Sequence, residues 1–454
     1  MILPDPIGPR LKMKQSLTAC MLGLALLTPM LTPITHAQSS PYCQADMVFD
    51  NTLNFFDVSA FLDAYTEDDL AADFNGSGTL NFFDVSTFLQ LFVDGCPDLT
   101  DSDNDRIPDF AETDDGIYID ALATGSDPFD PDTDGDRIDD GDEVLGTPDG
   151  LVLPGASPIR KDIFIECDWF AGVFQGRTEN YRPTPAVETR IVNAFANAPV
   201  ANPYGSPSGI TLHLDYGQGN GHDGGNQLPG APVFIVFDTG FNNYKAKHFD
   251  PRRKGYYHYA IFANRYNSAT NGSSGIAEIN GDDFMVTMVG FNSTNNQSNT
   301  LAHELGHNLR LRHGGFENRN YKPNYNSVMN YRHQFPGVDT TGNAIGNGVL
   351  DYSRGLNIDL DESALNEANG VNGFNAVDWN RNGFTEPFVY SANINCNSPQ
   401  TWQICGFGSG CYDASCTVLR DDDDWNSINW NRLNQSNDRQ AEPEHIECDN
   451  WPGK

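Results

Sequence analysis

The sequence HELGHNLRLRH at residues 303–313 holds three of the ten histidines of the chain. On a helix, His303 and His307 are one turn apart and project from the same face. Two imidazoles placed in this way can bind one metal ion, and zinc accepts nitrogen ligands at about 2.0 to 2.1 Å. His313 adds a third nitrogen six residues after His307. The spacing therefore predicts a zinc site formed by these three histidines.

Glu304 lies beside the first histidine, and we expect its carboxylate to act as the general base. Three protein ligands leave the fourth position of a tetrahedral zinc open for water and a substrate carbonyl, which indicates a catalytic rather than a structural metal. Glu304 would take a proton from that zinc-activated water and return it to the leaving amine. The alternative is that these are ordinary helix histidines. It is disfavoured because a third histidine at this interval rarely arises by chance in a chain with only ten.

A second motif, SVMNY at residues 327–331, follows the histidines. Together the two motifs resemble the active site of the metzincin zinc proteases, whose pattern is HExxHxxGxxH followed by a methionine turn. The resemblance implies that Met329 forms an apolar floor beneath the zinc. It also implies that Tyr331 binds the metal or stabilises the oxyanion, although a packed aromatic side chain is an equally good interpretation of Tyr331. The resemblance covers residues 158–395 and is specific over residues 299–331.

One position departs from the family pattern, because Arg310 stands where metzincins have glycine. That glycine lets the helix end in a left-handed conformation, so that the chain can turn and bring the third histidine to the metal. A residue with a Cβ atom in this conformation costs roughly 1 to 2 kcal/mol. Apparent zinc binding at structural sites is worth roughly 10 to 16 kcal/mol. Arg310 is therefore expected to weaken the site without abolishing it.

Apolar and alternating runs upstream of the histidines indicate strands, with a helix near residues 186–197. The candidate strands are KDIFIECDWF (161–170), GITLHLDYG (209–217), APVFIVFD (231–238), YYHYAIFANR (256–265) and DDFMVTMVGF (282–291). A sheet followed by a histidine-bearing helix also resembles the amino-terminal subdomain of a metzincin. We expect an α/β (α+β) catalytic domain with a mixed sheet and an active-site helix at residues 158–395.

An internal repeat lies near the amino terminus, where NTLNFFDVSAFL (51–62) returns as GTLNFFDVSTFL (78–89). Each copy joins an oxygen-rich loop to a helix, which predicts a small α-helical module at residues 38–97. The second copy has Gly78 at the sixth position of a calcium loop and oxygen ligands at positions 1, 3, 5, 7, 9 and 12. These ligands are Asp73, Asn75, Ser77, Thr79, Asn81 and Asp84. The first copy is weaker, since Val48 and Asn51 occupy positions 3 and 6.

This pair of loop–helix units resembles a dockerin domain. Dockerins bind cohesin modules, so the resemblance implies a cohesin-like partner. An appendage that calcium stiffens, without a receptor, is the alternative.

Residues 98–157 are rich in Asp, Gly and Pro and contain two further loops with matched spacing. Their oxygen ligands at positions 1, 3, 5, 9 and 12 are typical of calcium loops. The ligands are Asp101, Asp103, Asp105, Asp109 and Glu112, and then Asp132, Asp134, Asp136, Asp140 and Glu143. The loops resemble thrombospondin type 3 calcium repeats, although Arg106 and Arg137 stand where glycine is usual. We expect a spacer stiffened by Ca²⁺; a disordered acidic linker is the alternative.

The amino-terminal segment and the cysteine count indicate export. Residues 1–37 combine Lys12 and Lys14 with an apolar run and small residues ending at Ala37, which is the pattern of a signal peptide. We therefore expect a secreted, extracellular protein, either released or held at the cell surface, with no membrane span. Once Cys20 is removed, eight cysteines remain, and their even number points to disulfides of open pairing. Four of them lie between residues 396 and 416, within a carboxyl-terminal tail at 396–454.

The charge of the chain limits its partners. Acidic residues outnumber basic ones by 62 to 27, a formal net charge of −35, which disfavours nucleic acid and anionic membranes. The sequence thus predicts a secreted zinc metalloendopeptidase acting on a protein or peptide substrate. The alternative is an inactive protease fold that serves as a calcium-binding adhesion or scaffold protein. Substrate preference, latency and oligomeric state do not follow from the sequence.

Overall fold

The computed structural model describes residues 42–50, 52–174, 176–270, 272–287, 293–396, 402–406, 411–430 and 445–447. The expected signal peptide and Cys448 lie outside these residues. The α-helices within them are α1 (Phe55–Thr66), α2 (Phe82–Asp94), α3 (Asp140–Leu145), α4 (Pro185–Ala196), α5 (Thr239–His248), α6 (Thr294–Asn308), α7 (Tyr331–Gln334) and α8 (Asp424–Ser427). The strands are β1 (Asp162–Phe174), β2 (Arg177–Asn180), β3 (Thr211–Asp215), β4 (Gln227–Leu228), β5 (Tyr257–Ala263), β6 (Gly275–Glu278), β7 (Asp283–Thr287), β8 (Leu360–Asp361), β9 (Val418–Leu419) and β10 (His445–Glu447).

A mixed eight-stranded sheet forms the centre of the molecule. Strand β1 pairs in parallel with β5 on one side and with β3 and β4 on the other, and it forms an antiparallel hairpin with β2. Strand β7 extends the sheet in parallel beyond β5, and β6 and β10 add antiparallel strands beyond β7. The expected mixed α/β architecture is confirmed.

The residues of the central strands explain their position. All seven residues of β5 are buried, as are the first seven of β1. Parallel strands covered on both faces have nearly continuous apolar sequences of this kind. Helix α4 packs against α6 and β3, and α6 packs against β6 and β7. The histidine-bearing helix therefore lies on the sheet, within the main hydrophobic core.

Four of the five predicted strands correspond to β1, β3, β5 and β7, but the prediction for residues 231–238 was wrong. This segment forms no strand and makes a single bridge, from Ile235 to Tyr266. Ile235 and Phe237 are buried whereas Val236 is 43% exposed, so the apolar pattern is that of an extended segment at the edge of the core. Both sides of β5 are already occupied, by β1 and β7. No position beside β5 is therefore left for the segment.

The repeated module near the amino terminus has its own small core. The rings of Phe61 in α1 and Phe88 in α2 stack at 4.1 Å with an interplanar angle of 3°. The Cys43–Cys96 disulfide joins the two ends of the module. Tyr42 is buried with Ile107 and Ala111 of the acidic spacer, so the module packs on that spacer.

The structure confirms the predicted disulfides for six of the cysteines. Two further bonds, Cys396–Cys411 and Cys405–Cys416, lie in the carboxyl-terminal part of the chain. The even cysteine count predicted that Cys167 is paired, and this prediction was wrong. Cys167 is a free, fully buried thiol in β1, where it belongs to the hydrophobic core. A small apolar side chain suits this central strand, and free cysteine behaves as one.

Candidate metal centre

Helix α6 carries the first two histidines into the core. Ser293 caps its amino terminus, where the side chain accepts a hydrogen bond from Asn296 N. From Ser298 to Asn308 every residue is buried. His303, Glu304 and His307 have no exposed surface, so the polar groups of this helix face other parts of the protein rather than bulk water.

Backbone carbonyls orient the two histidines of the helix. His303 Nδ1 lies 2.8 Å from the carbonyl oxygen of Val328, and His307 Nδ1 lies 2.8 Å from that of Leu311. A carbonyl oxygen can only accept, so each Nδ1 carries the proton and each Nε2 carries a lone pair. The two Nε2 atoms are 3.2 Å apart. Nitrogens bound at about 2.05 Å to one tetrahedral ion would be about 3.3 Å apart, so this spacing suits a shared cation.

The third histidine reaches the same point after the helix ends. Leu311 N donates to the Gly306 carbonyl at 2.8 Å and Arg310 N donates to the His307 carbonyl at 2.9 Å, the two bonds of a Schellman ending. Arg310 has a φ of 79°, the left-handed conformation for which the usual glycine is suited. The turn places His313 with His303 and His307, with nitrogen atoms of the three rings within 4.8 Å of one another.

The donor set fits a metal ion. His313 is only 8% exposed, and its Nε2 has no hydrogen-bond partner among the described residues. A buried polar atom without a partner is costly unless a ligand satisfies it. Burial lowers the pKa of His303 and of His313 well below the usual value, and it lowers the pKa of His307 to about 4. The imidazoles are therefore neutral at physiological pH, as metal coordination requires.

Two glycines bring other parts of the protein close to the histidine helix. A Cβ atom on Gly306 would lie 2.3 Å from Met329 Sδ, so the absence of a side chain there lets the methionine sulfur approach the helix between the two ligands. A Cβ atom on Gly275, at the start of β6, would lie 2.3 Å from Glu304 Oε1. Gly275 was not among the site residues that the sequence predicted. Its only signal, a glycine at the start of a strand, is common to many strands.

Tyr331 is the first residue of α7 and contacts the ligand rings. Its ring centroid lies 4.3 Å from that of His313 and 5.7 Å from that of His303. Asn320 holds the start of α7, because its Oδ1 accepts a hydrogen bond from Tyr331 N at 3.0 Å. Met329 is completely buried two residues earlier. The structure thus groups Tyr331 with the three histidines, while Met329 packs against α6 at Gly306 and Glu304 lies in α6 itself.

We expect the substitution Arg310→Gly to raise the free energy of unfolding by about 1 kcal/mol, because it removes the Cβ clash of a left-handed residue. The side chain of Arg310 is exposed, so little packing is lost. Urea unfolding of the zinc-loaded protein measures the effect. Arg310→Ala is the matched control: it keeps the Cβ atom and should leave stability within about 0.5 kcal/mol of the parent. Equal stability of the Gly and Ala variants would show that the left-handed conformation of Arg310 carries no measurable strain.

We expect the metal-free protein to lose stability as the pH falls from 6.5 toward 4. The pKa of His307 is about 4 in the folded protein, against about 6.5 in an unfolded chain. Between these values the unfolded state binds more protons, so stability that is complete above pH 6.5 declines as the pH falls, by on the order of 3 kcal/mol.

Urea unfolding of chelator-treated protein at pH 7 and pH 4.5 tests this expectation. His307→Gln is the control, because it removes the titrating group while other groups continue to titrate. The parent should lose more stability than the variant over this interval. An equal loss in the two proteins would show that His307 does not contribute.

The predicted calcium ligands form loops with carboxylates turned inward. In the repeated module, Gly78 (φ 74°) donates its N–H to Asp73 Oδ2 at 2.6 Å, and Asp84 caps α2 through Asn81 N. In the spacer, Arg106 and Arg137 have φ of 88° and 75°, the left-handed turn that the usual glycine provides. The oxygens of Asp101, Asp103 and Asp105 lie within 4.8 Å of one another, and so do those of Asp132, Asp134 and Asp136.

The other four predicted ligands of the spacer lie outside these two groups of three carboxylates. The carboxylate of Asp109 accepts hydrogen bonds from Ser102 N and Oγ, both at 2.8 Å. Glu112 and Asp140 group with Asp105, and Glu143 groups with Asp136. Burial raises the pKa of Glu112 to about 9, that of Asp140 to about 8 and that of Asp105 to about 7. A bound cation would offset this cost of keeping the carboxylates charged.

Comparison of the chain with protein-family models, with curated proteins and with solved structures finds no significant match. None of the helices in the described residues combines the length and the apolar character that a membrane crossing requires.

Proposed function

We propose that this protein is a zinc-dependent endopeptidase of the metzincin type that hydrolyses internal peptide bonds. The observation that carries the proposal is the convergence of three buried imidazoles, two of them oriented by backbone carbonyls, at the helix that also carries the fully buried Glu304. His303, His307 and His313 would hold the zinc. Catalytic zinc sites typically have three protein ligands, whereas structural sites have four.

The chemistry follows from the groups around the histidines. Zinc, when bound, would polarise the scissile carbonyl and lower the pKa of a water molecule. Glu304 takes a proton from the attacking water as its oxygen bonds to the carbonyl carbon, and then delivers that proton to the amine nitrogen as the C–N bond breaks. The β6 backbone at Gly275 lies against this carboxylate and limits its movement. Limiting movement favours proton transfer, because a general base must stay within hydrogen-bond reach.

We propose that Tyr331 stabilises the oxyanion of the tetrahedral intermediate through its phenol. Its ring lies against that of His313, and the residue is 6% exposed. A hydrogen-bond donor in a site that excludes most water is more effective than one in bulk solvent. Met329 contributes packing beneath the histidines rather than chemistry.

We also propose that Ca²⁺ occupies the acidic loops and that the protein is exported. Oxygen-only ligand sets favour calcium over zinc. The Cys43–Cys96, Cys396–Cys411 and Cys405–Cys416 disulfides favour an oxidising compartment.

The test is cleavage of denatured casein or gelatin by the purified protein with calcium present, with the products identified by mass spectrometry. Internal cleavage should occur, should stop when a zinc chelator is added and should return with added zinc. A folded protein that contains zinc but cleaves none of these substrates would favour the scaffold alternative. Arg310, which departs from the family pattern, adopts the left-handed conformation that the turn toward His313 requires.

Partner binding by the repeated module is a second candidate function, which can coexist with proteolysis. The start of each helix exposes two phenylalanines, Phe55 and Phe56 in α1 and Phe82 and Phe83 in α2. Exposed aromatic residues at equivalent positions favour a protein-binding face. Pull-down with purified cohesin modules in calcium tests this function. Binding that is lost in Phe82→Ala/Phe83→Ala would support it, and no binding to any module would leave the appendage interpretation.

A further inference from the structure

The first residue of β1, Asp162, lies among the carboxylates of the second acidic loop, although it is distant from that loop's motif. Asp162 is completely buried, and its backbone N–H donates to Asp136 Oδ2 at 2.6 Å. Carboxylate oxygens of Asp136, Glu143 and Asp162 lie within 4.8 Å of one another. The sequence assigned the first two of these to a calcium loop. It offered no reason to add a strand residue from the catalytic domain.

Glu143 indicates that this group of carboxylates holds a ligand. The side chain extends from α3 and is only 6% exposed, yet neither Oε1 nor Oε2 has a hydrogen-bond partner among the described residues. The same is true of Asp134 Oδ2, in a residue that is 5% exposed. Buried carboxylate oxygens without partners carry a large desolvation cost, which a cation bound between them removes.

The nearby positive charge is too small to balance the group. A Cβ atom on Gly135 would lie 3.5 Å from Lys161 Nζ, so this ammonium sits beside the loop. Two cationic side chains, Lys161 and Arg137, face five carboxylates, which are those of Asp132, Asp134, Asp136, Glu143 and Asp162. His213 Nε2 is 2.6 Å from Asp162 Oδ1 and orients that carboxylate. A divalent cation is the simplest group that neutralises the excess.

The first acidic loop shows the same arrangement one repeat earlier. Asp105 and Glu112 stand at the same loop positions as Asp136 and Glu143, and the element that follows adds Asp140 to them. Glu112 Oε2 and Asp105 Oδ2 are likewise buried without partners among the described residues. Gly141 permits this contact, because a Cβ atom there would lie 1.8 Å from the Asp105 carbonyl oxygen. Each loop thus receives one carboxylate from the next element along the chain.

We propose that Asp162 is a ligand of a calcium-class cation shared between the second acidic loop and strand β1, so that the ion fastens the spacer to the catalytic sheet. All candidate ligands are carboxylate oxygens, which a hard divalent cation with six to eight ligands prefers. By the same arrangement, Asp140 joins the cation of the first loop to the second. The cations link the two loops and the sheet in series, and the spacer and the catalytic domain become one calcium-dependent unit.

Calorimetric titration of the full-length, zinc-loaded and calcium-stripped protein with calcium chloride tests the proposal. Asp162→Asn should weaken one calcium site at least about tenfold, because affinity follows the number of charged ligands. Glu143→Gln should do the same. Asp223→Asn removes an exposed carboxylate of the same domain and should leave every site unchanged. Parent-like calcium binding by folded Asp162→Asn would overturn the proposal.

Thermal unfolding supplies a second readout, because the expected change in Tm has opposite signs in calcium and in chelator. Glu143→Gln should lower the Tm in calcium, where a ligand is lost, and raise it in chelator, where a buried negative charge is removed. A higher Tm in both conditions would overturn the proposal, since the cluster would then hold no cation. If Asp162→Asn does not fold, Asp162→Glu takes its place, and unchanged calcium affinity in that variant would also overturn it. Neither readout depends on proteolysis.

Discussion

Replacing Glu304 with glutamine should reduce kcat/KM for peptide hydrolysis by roughly 10²- to 10⁴-fold, the range that a positioned general base contributes. Glutamine has nearly the same shape but cannot accept the proton of the attacking water. Glu304 is not one of the three nitrogen ligands, so the variant should still contain zinc. The measurement is the initial rate of cleavage of a quenched fluorescent peptide, normalised to zinc content.

A matched control separates chemistry from folding. Glu179→Gln removes the same charge from β2, away from the histidine helix, and should keep full activity. The Tm of Glu304→Gln should stay close to that of the parent protein or rise, since a buried carboxylate becomes neutral. Parent-like activity in zinc-loaded Glu304→Gln would remove Glu304 from the reaction and, with it, the proposed mechanism.

Replacing His307 with alanine should abolish stoichiometric zinc binding. Loss of residues that merely orient a metal ligand costs 10- to 100-fold in affinity, so loss of a ligand should cost more than about 100-fold. His307 Nε2 lies 3.2 Å from that of His303, and the His307 ring lies 4.9 Å from that of His313, so His307 would be the central ligand of the proposed site. Zinc content after dialysis against a weak chelator, measured by mass spectrometry of the metal, gives the result. Proteolysis should be lost with the zinc.

The control for this variant is His248→Ala, at the end of α5, which should keep both zinc and activity. The His307→Ala chain also needs a folding check, because the site lies in the core. Near-ultraviolet circular dichroism in calcium serves this purpose. Full zinc content in a folded His307→Ala protein would show that the metal, if any, is bound elsewhere.

The grouping of the three histidines could be predicted because helical spacing is a local property. Residues four apart on a helix face the same side whatever surrounds them, so His303 and His307 had to be neighbours once the helix formed. The left-handed ending at Arg310 followed from the same local logic, since the chain must turn there for His313 to return. The strands β1, β3, β5 and β7 were visible because buried parallel strands have continuous apolar sequences.

Other features could not be predicted from neighbouring residues. The carbonyl of Val328 orients His303 from 25 positions away in the chain, and Gly275 approaches Glu304 from a strand with no motif. Residues 231–238 have the composition of a strand, but both sides of β5 were already occupied. The even number of cysteines predicted a disulfide partner for Cys167, but this residue lies unpaired in the middle of the sheet. Each of these outcomes depends on which segments the fold brings together.

Local patterns therefore specified which residues can do chemistry: the histidine spacing, the adjacent carboxylate and the calcium-loop positions, all within short segments where chain geometry dictates the neighbours. The fold specified how those residues are used. It set the proton positions on His303 and His307 through distant carbonyls, and it placed Asp162 beside a loop that ends 19 residues earlier, at Glu143. The division has a physical cause, because helix and turn geometry acts over a few residues, whereas burial and hydrogen bonding between segments depend on how the whole chain packs.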